Sequence, residues 1–225
     1  MKIERLHDWD LSPKTAIALQ HELAALLASD VPFCLDDVRT VAGIDVSVKG
    51  GVGCAAVVVM SFPNLSIVET ASTQREIAYP YIPGLLAFRE GPVVLDALRQ
   101  IQREPDIFLF DGMGQIHPRR MGIAAHLGLW LGRPTVGCGK SHFIGEYELP
   151  AREKGCYSPL MYGGEQLVIV LRTRAGIKPV YVSAGHMCDI ESAATLILSC
   201  TTKYRLPEPI RAAHKAASLR IEANQ

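Results

Sequence analysis

The sequence predicts an α/β fold, a mixed β-sheet flanked by helices, and three observations point to it. First, apolar runs with strand character at residues 41–48, 52–60 and 65–71 follow one another across short breaks, Lys49-Gly50-Gly51 and Phe62-Pro63-Asn64. Breaks of that length suit an antiparallel meander. Second, a helical stretch at 93–102 places Val94, Leu98 and Ile101 on one face. Third, DIFLF at 106–110 is short and almost continuously apolar, as a strand covered on both faces must be. A meander, a helical crossover and a strand parallel to the first make a mixed sheet.

The remaining elements can be read in order. Ser12-Pro13 supplies an N-cap and a proline at the first helical position, and Ala16, Leu19, Leu23, Leu26 and Leu27 continue a helical face to about Ser29. Beyond DIFLF, residues 118–131 are predicted helical, with Pro118 opening the helix, and 135–138 form another strand. Segments 166–173 and 180–183 form a hairpin, and helices at 190–201 and 209–221 follow. The last carries the stripe Ile210, Ala213, His214, Ala217, Ile221. There is no internal repeat or linker, so the 225 residues are expected to form a single domain spanning 1–225.

Composition narrows the function. Twenty-three basic and 23 acidic residues cancel, which argues against a protein that coats nucleic acid non-specifically, since such binding needs a surplus of positive charge. A local basic patch remains open, drawn from Arg119, Arg120, Lys140, Lys203, Arg205, Arg211 and Lys215. The six cysteines are scattered, with neither CxxC nor zinc-finger spacing, which argues against a disulfide scaffold. No apolar run is long enough to span a membrane and the N-terminal MKIERLHDWD has no apolar leader core, so a soluble, cytoplasmic protein is expected.

Carboxylates stand where apolar residues belong. Asp45 interrupts VAGIDVSV, a run that otherwise suits a buried strand, and Asp111 ends DIFLFD just before Gly112. A buried carboxylate is costly unless it is paired or binds a cation. If the two strands are neighbours, both acids reach one crevice at the carboxyl end of the sheet, where α/β proteins place ligands. Glu90 closes a third apolar run. Three oxygen donors with no thiolate or histidine cluster favour a hard ion, Mg²⁺ or Mn²⁺, and hence phosphodiester chemistry.

Longer motifs surround these acids. IDVS, PYIPGLLAFREGP, FDGMGQIHPRRMGIAAHLG, GCGKS and SAGHMCDIES, from LHDWDLSP at residue 6 to LPEPIRAAH near 206, resemble the motifs of endonuclease V in order and spacing. The resemblance implies a ribonuclease H-like fold and a metal-dependent nuclease that recognises deoxyinosine. It further implies hydrolysis of the second phosphodiester bond 3′ to the lesion, leaving 3′-hydroxyl and 5′-phosphate ends. By position it assigns Asp45, Asp111 and Glu90 to metal, Lys140 to the cut phosphate, His214 to the metal's neighbourhood and Tyr81 to a wedge. Met113 and the pair Cys138-Gly139 depart from the family pattern beside the expected base pocket.

The segment AYPYIPGLLAFREGP is consistent with that wedge. Pro80 and Pro83 stiffen the residues before them, so Tyr81 is carried on a short rigid arm able to fill the gap left by an everted base. Gly84, Gly112, Gly122 and Gly137 allow backbone to approach a flat base, with Leu86 beside them, and His117 either contacts the base or shapes its pocket. The expected partner is DNA containing deoxyinosine, single- or double-stranded, bound by a monomer. Two alternatives are an inosine-specific endoribonuclease and a non-catalytic reader of inosine or distorted nucleic acid.

Overall fold

The computed structural model describes residues 1, 3 and 5–223, with side chains to Leu219. One nine-stranded sheet is built from β1 (Thr40–Lys49), β2 (Val52–Ser61), β3 (Ile67–Glu76), β4 (Ile107–Asp111), β5 (Thr135–Gly139), β6 (Glu146–Tyr147), β7 (Tyr157–Tyr162), β8 (Glu165–Leu171) and β9 (Val180–Ala184). Its order is β3-β2-β1-β4-β5-β9-β8-β7-β6. The first three strands are the antiparallel meander, β4 joins β1 in parallel, β5 joins β4 in parallel, and β8 and β9 pair antiparallel as the expected hairpin. This is the ribonuclease H-like arrangement.

Five helices flank the sheet: α1 (Pro13–Ala24), α2 (Leu86–Leu98), α3 (Ile123–Leu131), α4 (Ile190–Ser199) and α5 (Glu208–Ala223). Strand alternation divides the core between them. Ala42, Ile44, Phe108 and Phe110 point to α2 and α3, whereas Val41, Ile107 and Leu109 point to α4 and α5. On α5, Ile210, Ala213 and Ala217 are buried as the stripe predicts, and the Ile221 side chain lies outside the described residues.

Several boundaries differ from the sequence reading: β3 runs on to Glu76 rather than ending at residue 71, and α2 ends at Leu98 rather than 102. Helix α1 ends at Ala24, short of Ser29. Helix α2 begins at Leu86, seven residues before the expected start, and runs through Pro92. A helix-interior proline forfeits a hydrogen bond and costs about 3 kcal/mol, but Ala87 and Phe88, in the turn that precedes it, are buried and make that turn worth keeping. Helix α3 starts later than Pro118: residues 118–120 form a turn with Arg120 at φ 60°, and Gly122 is the N-cap. Strands β6 and β7 were not foreseen. In β7 only Ser158 and Leu160 are buried, and Pro159 interrupts the apolar pattern. Beyond it β6 pairs only Tyr147 with Leu160 and Glu146 with Met161, so the missing N–H of Pro159 is not required there.

Behind α2 and α3 the N-terminal segment docks through rings. Trp9 stacks on Trp130 at 5.1 Å between centroids, and a Cβ on Gly91 would meet the Trp9 ring at 2.7 Å. His7 Nε2 lies 2.7 Å from His126 Nε2 and accepts from Trp130 Nε1 at 3.0 Å. Indole donates only, so His7 Nε2 carries no proton, His126 donates from its Nε2, and His7 Nδ1 donates to the Asp8 carbonyl at 2.9 Å. Burial pushes the His7 pKa down to about 4 and that of His126 well below its ordinary value. Both rings are neutral.

No helix among the described residues is long and apolar enough to cross a membrane. All six cysteines are free.

Candidate metal centre and nucleotide cavity

The β1–β4 register brings the acids together. Ile44 faces Phe110 across the parallel pair, so the next residues, Asp45 and Asp111, end side by side. Both share the parity of Val41, Ile107 and Leu109 and therefore lie on the α4–α5 side of the sheet. Helix α5 completes the site because Gly43 lets it press against β1: a Cβ there would lie 2.0 Å from the Pro209 carbonyl oxygen. His214 Nδ1 then reaches Asp45 Oδ2 at 2.6 Å, while Asp45 Oδ1 accepts from the Val46 amide at 2.9 Å.

Asp45, Asp111 and His214 each present a donor atom, all within 4.8 Å of one another. Burial, and then the Asp111 charge, pushes the Asp45 carboxyl upward, with His214 and Lys140 pulling against it. Lys140 pairs through Nζ with Asp111 Oδ2. Two crowded carboxylates and an imidazole without thiolates suit a hard divalent cation, which would offset the burial and the Asp111 repulsion that raise Asp45.

Glu90, predicted to share the metal, is not one of these three. It arrives from α2, on the other side of the sheet, yet it remains within the field of the acids. Burial raises its pKa to about 7, Asp45 and Asp111 add to the rise, and Arg89 opposes it.

Beside this cluster opens a cavity of about 200 Å³ lined mainly by apolar side chains. Of the residues expected there, Gly84, Leu86, Gly112, His117 and Gly122 line it, with Tyr81 at its wall. Gly137 does not. It packs against the backbone of residues 112–114, and a Cβ would meet the Gly114 nitrogen at 2.4 Å, so it permits the loop rather than facing the cavity. Tyr81 is 69% exposed, and the Arg89 guanidinium lies 5.9 Å from its ring centroid.

The arm that carries Tyr81 is fastened at Gly84, whose φ is +81°. Its carbonyl receives His117 Nε2 at 3.0 Å, Arg119 Nη2 at 3.0 Å and Gln20 Nε2 at 3.1 Å. His117 Nδ1 in turn accepts from the amides of Arg119 and Met121, at 3.2 and 3.3 Å. Both ring nitrogens are therefore spent within the protein. Burial and the nearby Arg119 charge depress the His117 pKa to about 4, and the ring is neutral. It shapes the cavity.

A family model described as Endonuclease V matches residues 22–215. The chain belongs to the endonuclease V family. It is 49% identical over 222 residues to Endonuclease V of Trichormus variabilis, covering 98% of this chain and 100% of that one. The crystal structure of Endonuclease V from Streptomyces avermitilis superposes with a TM-score of 0.92 at 38% identity, covering 96% of each chain. Endonuclease V of Ciona intestinalis, solved with a 24mer DNA containing an inosine followed by a ribo-adenosine, has a TM-score of 0.82 and 30% identity over 94% of this chain and 98% of that one.

As an endonuclease V, the chain shows cavity residues that were not among those expected: Ser141, Met121 and Ile123, which lie within the quoted motifs, and Phe143 from the β5–β6 loop, which lies outside them. Phe143 is 42% exposed and stacks toward His117 at 6.2 Å. An aromatic just past GCGKS was the available signal. The basic patch is largely engaged: Arg119 on Gly84, Arg120 on Glu165 at 2.9 Å, Arg211 on Glu208 at 2.8 Å, and Arg205 on two backbone carbonyls.

Proposed function

We propose that this endonuclease V is a divalent-metal-dependent DNA repair nuclease that everts deoxyinosine and hydrolyses the second phosphodiester bond on its 3′ side. The products are a 3′-hydroxyl and a 5′-phosphate. The supporting observation is the juxtaposition of the three-donor cluster with an apolar cavity walled by an exposed tyrosine. A cluster alone would suit many nucleases, and a cavity alone would suit a reader.

Asp45 and Asp111, with His214, would hold Mg²⁺ or Mn²⁺, which when bound polarises a phosphate oxygen and lowers the pKa of water. Lys140 places an ammonium where the phosphate oxygens gain charge in the transition state. Glu90, with a pKa near neutrality, orients the attacking water or serves a second ion. Tyr81 fills the stack and the cavity takes the everted base, with Gly84, Gly112 and Gly122 giving it close backbone, Leu86 apolar contact and His117 a wall. The enzyme is read as a monomer acting in the cytoplasm on single- or double-stranded DNA.

The test is cleavage of a duplex with one deoxyinosine, in Mg²⁺, against its adenine counterpart, with the cut mapped at nucleotide resolution. A cut confined to the inosine strand at the second 3′ bond is expected, and equal cleavage of both duplexes would refute the reading. The ribo-adenosine after inosine in the Ciona intestinalis complex favours one further comparison. If single-stranded RNA with one inosine is cut faster than the matching DNA, the endoribonuclease reading replaces this one.

A further inference from the structure

Arg205 lies in the loop between α4 and α5 and belongs by sequence to the basic patch. Its contacts are of another kind. Nη2 donates to the carbonyl oxygen of Lys140 at 2.5 Å and to that of Pro179 at 2.6 Å. These carbonyls sit where the β5–β9 ladder stops: its last pair is Gly139 with Tyr181, Lys140 follows Gly139 directly, and Pro179 immediately precedes β9. Two carbonyl oxygens cannot bond to each other, and proline has no amide to offer. The guanidinium bridges them and extends the fastening of the strands beyond the ladder. Its own backbone is fixed in turn, because Thr173 Oγ1 donates to the Arg205 carbonyl at 2.6 Å.

What departs from this point is the functional loop. Lys140 pairs with Asp111, and Ser141 and Phe143 line the cavity, yet residues 140–143 are all exposed. Further along the loop, His142 meets the Gly145 carbonyl at 2.9 Å and packs against the rings of Tyr147 and Tyr181, so the loop is held at its far end and depends on the Lys140 carbonyl at its start. We propose that Arg205 is a positioning residue: it aims Lys140 at the Asp111 side of the metal centre, and Phe143 at the cavity, by anchoring the first carbonyl of their loop. The inference rests on the proposed role of Lys140 at the cut phosphate. A misplacement of about 1 Å at a reacting centre can cost about a hundredfold in rate.

A double-mutant cycle on single-turnover cleavage of the inosine duplex tests it, using Lys140→Ala, Arg205→Gln and both together. Arg205→Gln alone should slow cleavage at saturating enzyme by about tenfold to a hundredfold. In the Lys140→Ala background the same change should cost no more than about twofold, because residues acting through one another are not additive. The salt slope of binding should stay unchanged, whereas loss of one phosphate contact on duplex DNA would lower it by about 0.9. Arg205→Lys, which keeps a cationic donor on a side chain of shorter reach, should recover part of the rate. It also serves as the measurement if Arg205→Gln does not fold. Hydrogen exchange at residues 140–145 should quicken in both variants without substrate. Additive losses, or a reduced salt slope with normal cleavage at saturation, would overturn the proposal and make Arg205 a phosphate contact. If the wild-type protein leaves the inosine duplex intact, the proposed function fails instead, and unchanged exchange in the loop would then overturn the anchor separately.

Discussion

Two histidine pairs lie on opposite sides of the sheet, and they solve opposite problems. His214 meets Asp45 at 2.6 Å with its side chain 58% exposed, in a cluster crowded with negative charge. His7 meets His126 at 2.7 Å among aromatic rings, where no charge is tolerated. The first pair leaves an electrostatic deficit that a cation can fill. The second satisfies its donors internally and requires neutrality. Reactivity and rigidity are therefore assigned to different faces, with α2 between them, carrying Glu90 toward one and Phe88 and Gly91 toward the other.

The comparison breaks most visibly if the front is stripped of a ligand. Asp45→Ala should lower turnover by at least about a thousandfold, since metal-supplied charge stabilisation amounts to several kcal/mol. Its melting temperature without metal should be equal to or above that of the wild type, because one repelling carboxylate is gone. Normal turnover in this variant would remove Asp45 from the metal centre.

At the back the expectation is reversed. His7→Leu leaves the Trp130 and His126 N–H groups without an acceptor, and each unpaired buried donor costs about 1–3 kcal/mol. Urea unfolding should show a loss of about 2–6 kcal/mol, with single-turnover cleavage preserved under folding conditions. Unaltered stability would mean that water already serves these groups.

Adding Mg²⁺ sharpens the contrast more gently. At a hundredfold excess over its Kd it should stabilise the wild type by about 2.7 kcal/mol by mass action, and His7→Leu by the same amount. Asp45→Ala should gain little. Thermal melts with and without Mg²⁺ measure all three.

The last contrast lies in the pH dependence of the melt. An imidazole whose folded pKa is lowered to about 4, against 6.5 unfolded, contributes its full stability above pH 6.5 and loses it as pH falls toward 4. Glu90 works in the other direction: its raised carboxyl costs stability as pH rises from 4.5 to about 7. The comparison that isolates the histidines is therefore wild type against a His7→Leu/His126→Leu double variant. The double variant should show a shallower decline on the acid side, and parallel curves would show that the pair does not govern acid sensitivity.

Much of the front was legible because its residues violate local rules. Asp45 inside an apolar strand and Asp111 at the end of another announce themselves by cost, and prolines around Tyr81 announce a stiff arm. The start of α2 was not legible, since Pro92 reads as an opening residue and only the burial of Phe88 shows why the helix precedes it. The place of Glu90 outside the three-donor set follows from the face on which α2 packs, a tertiary fact. Gly137 looked like its neighbouring glycines but packs beneath the loop they line. The His7–His126 pair was not legible as a pair: each stands inside one of the quoted motifs, LHDWDLSP and FDGMGQIHPRRMGIAAHLG, but the partners are 119 residues apart and only the fold brings them together.

The close approach at Gly43 has a consequence for synthesis. Strand β1, β4 and the wedge arm all precede α5, which alone supplies the third donor, 169 residues beyond Asp45. A nascent chain can therefore assemble most of its sheet while the cluster is still missing a ligand. Only when the helix bearing His214 has been made and settles over Gly43 do all three donors of the candidate metal centre stand together.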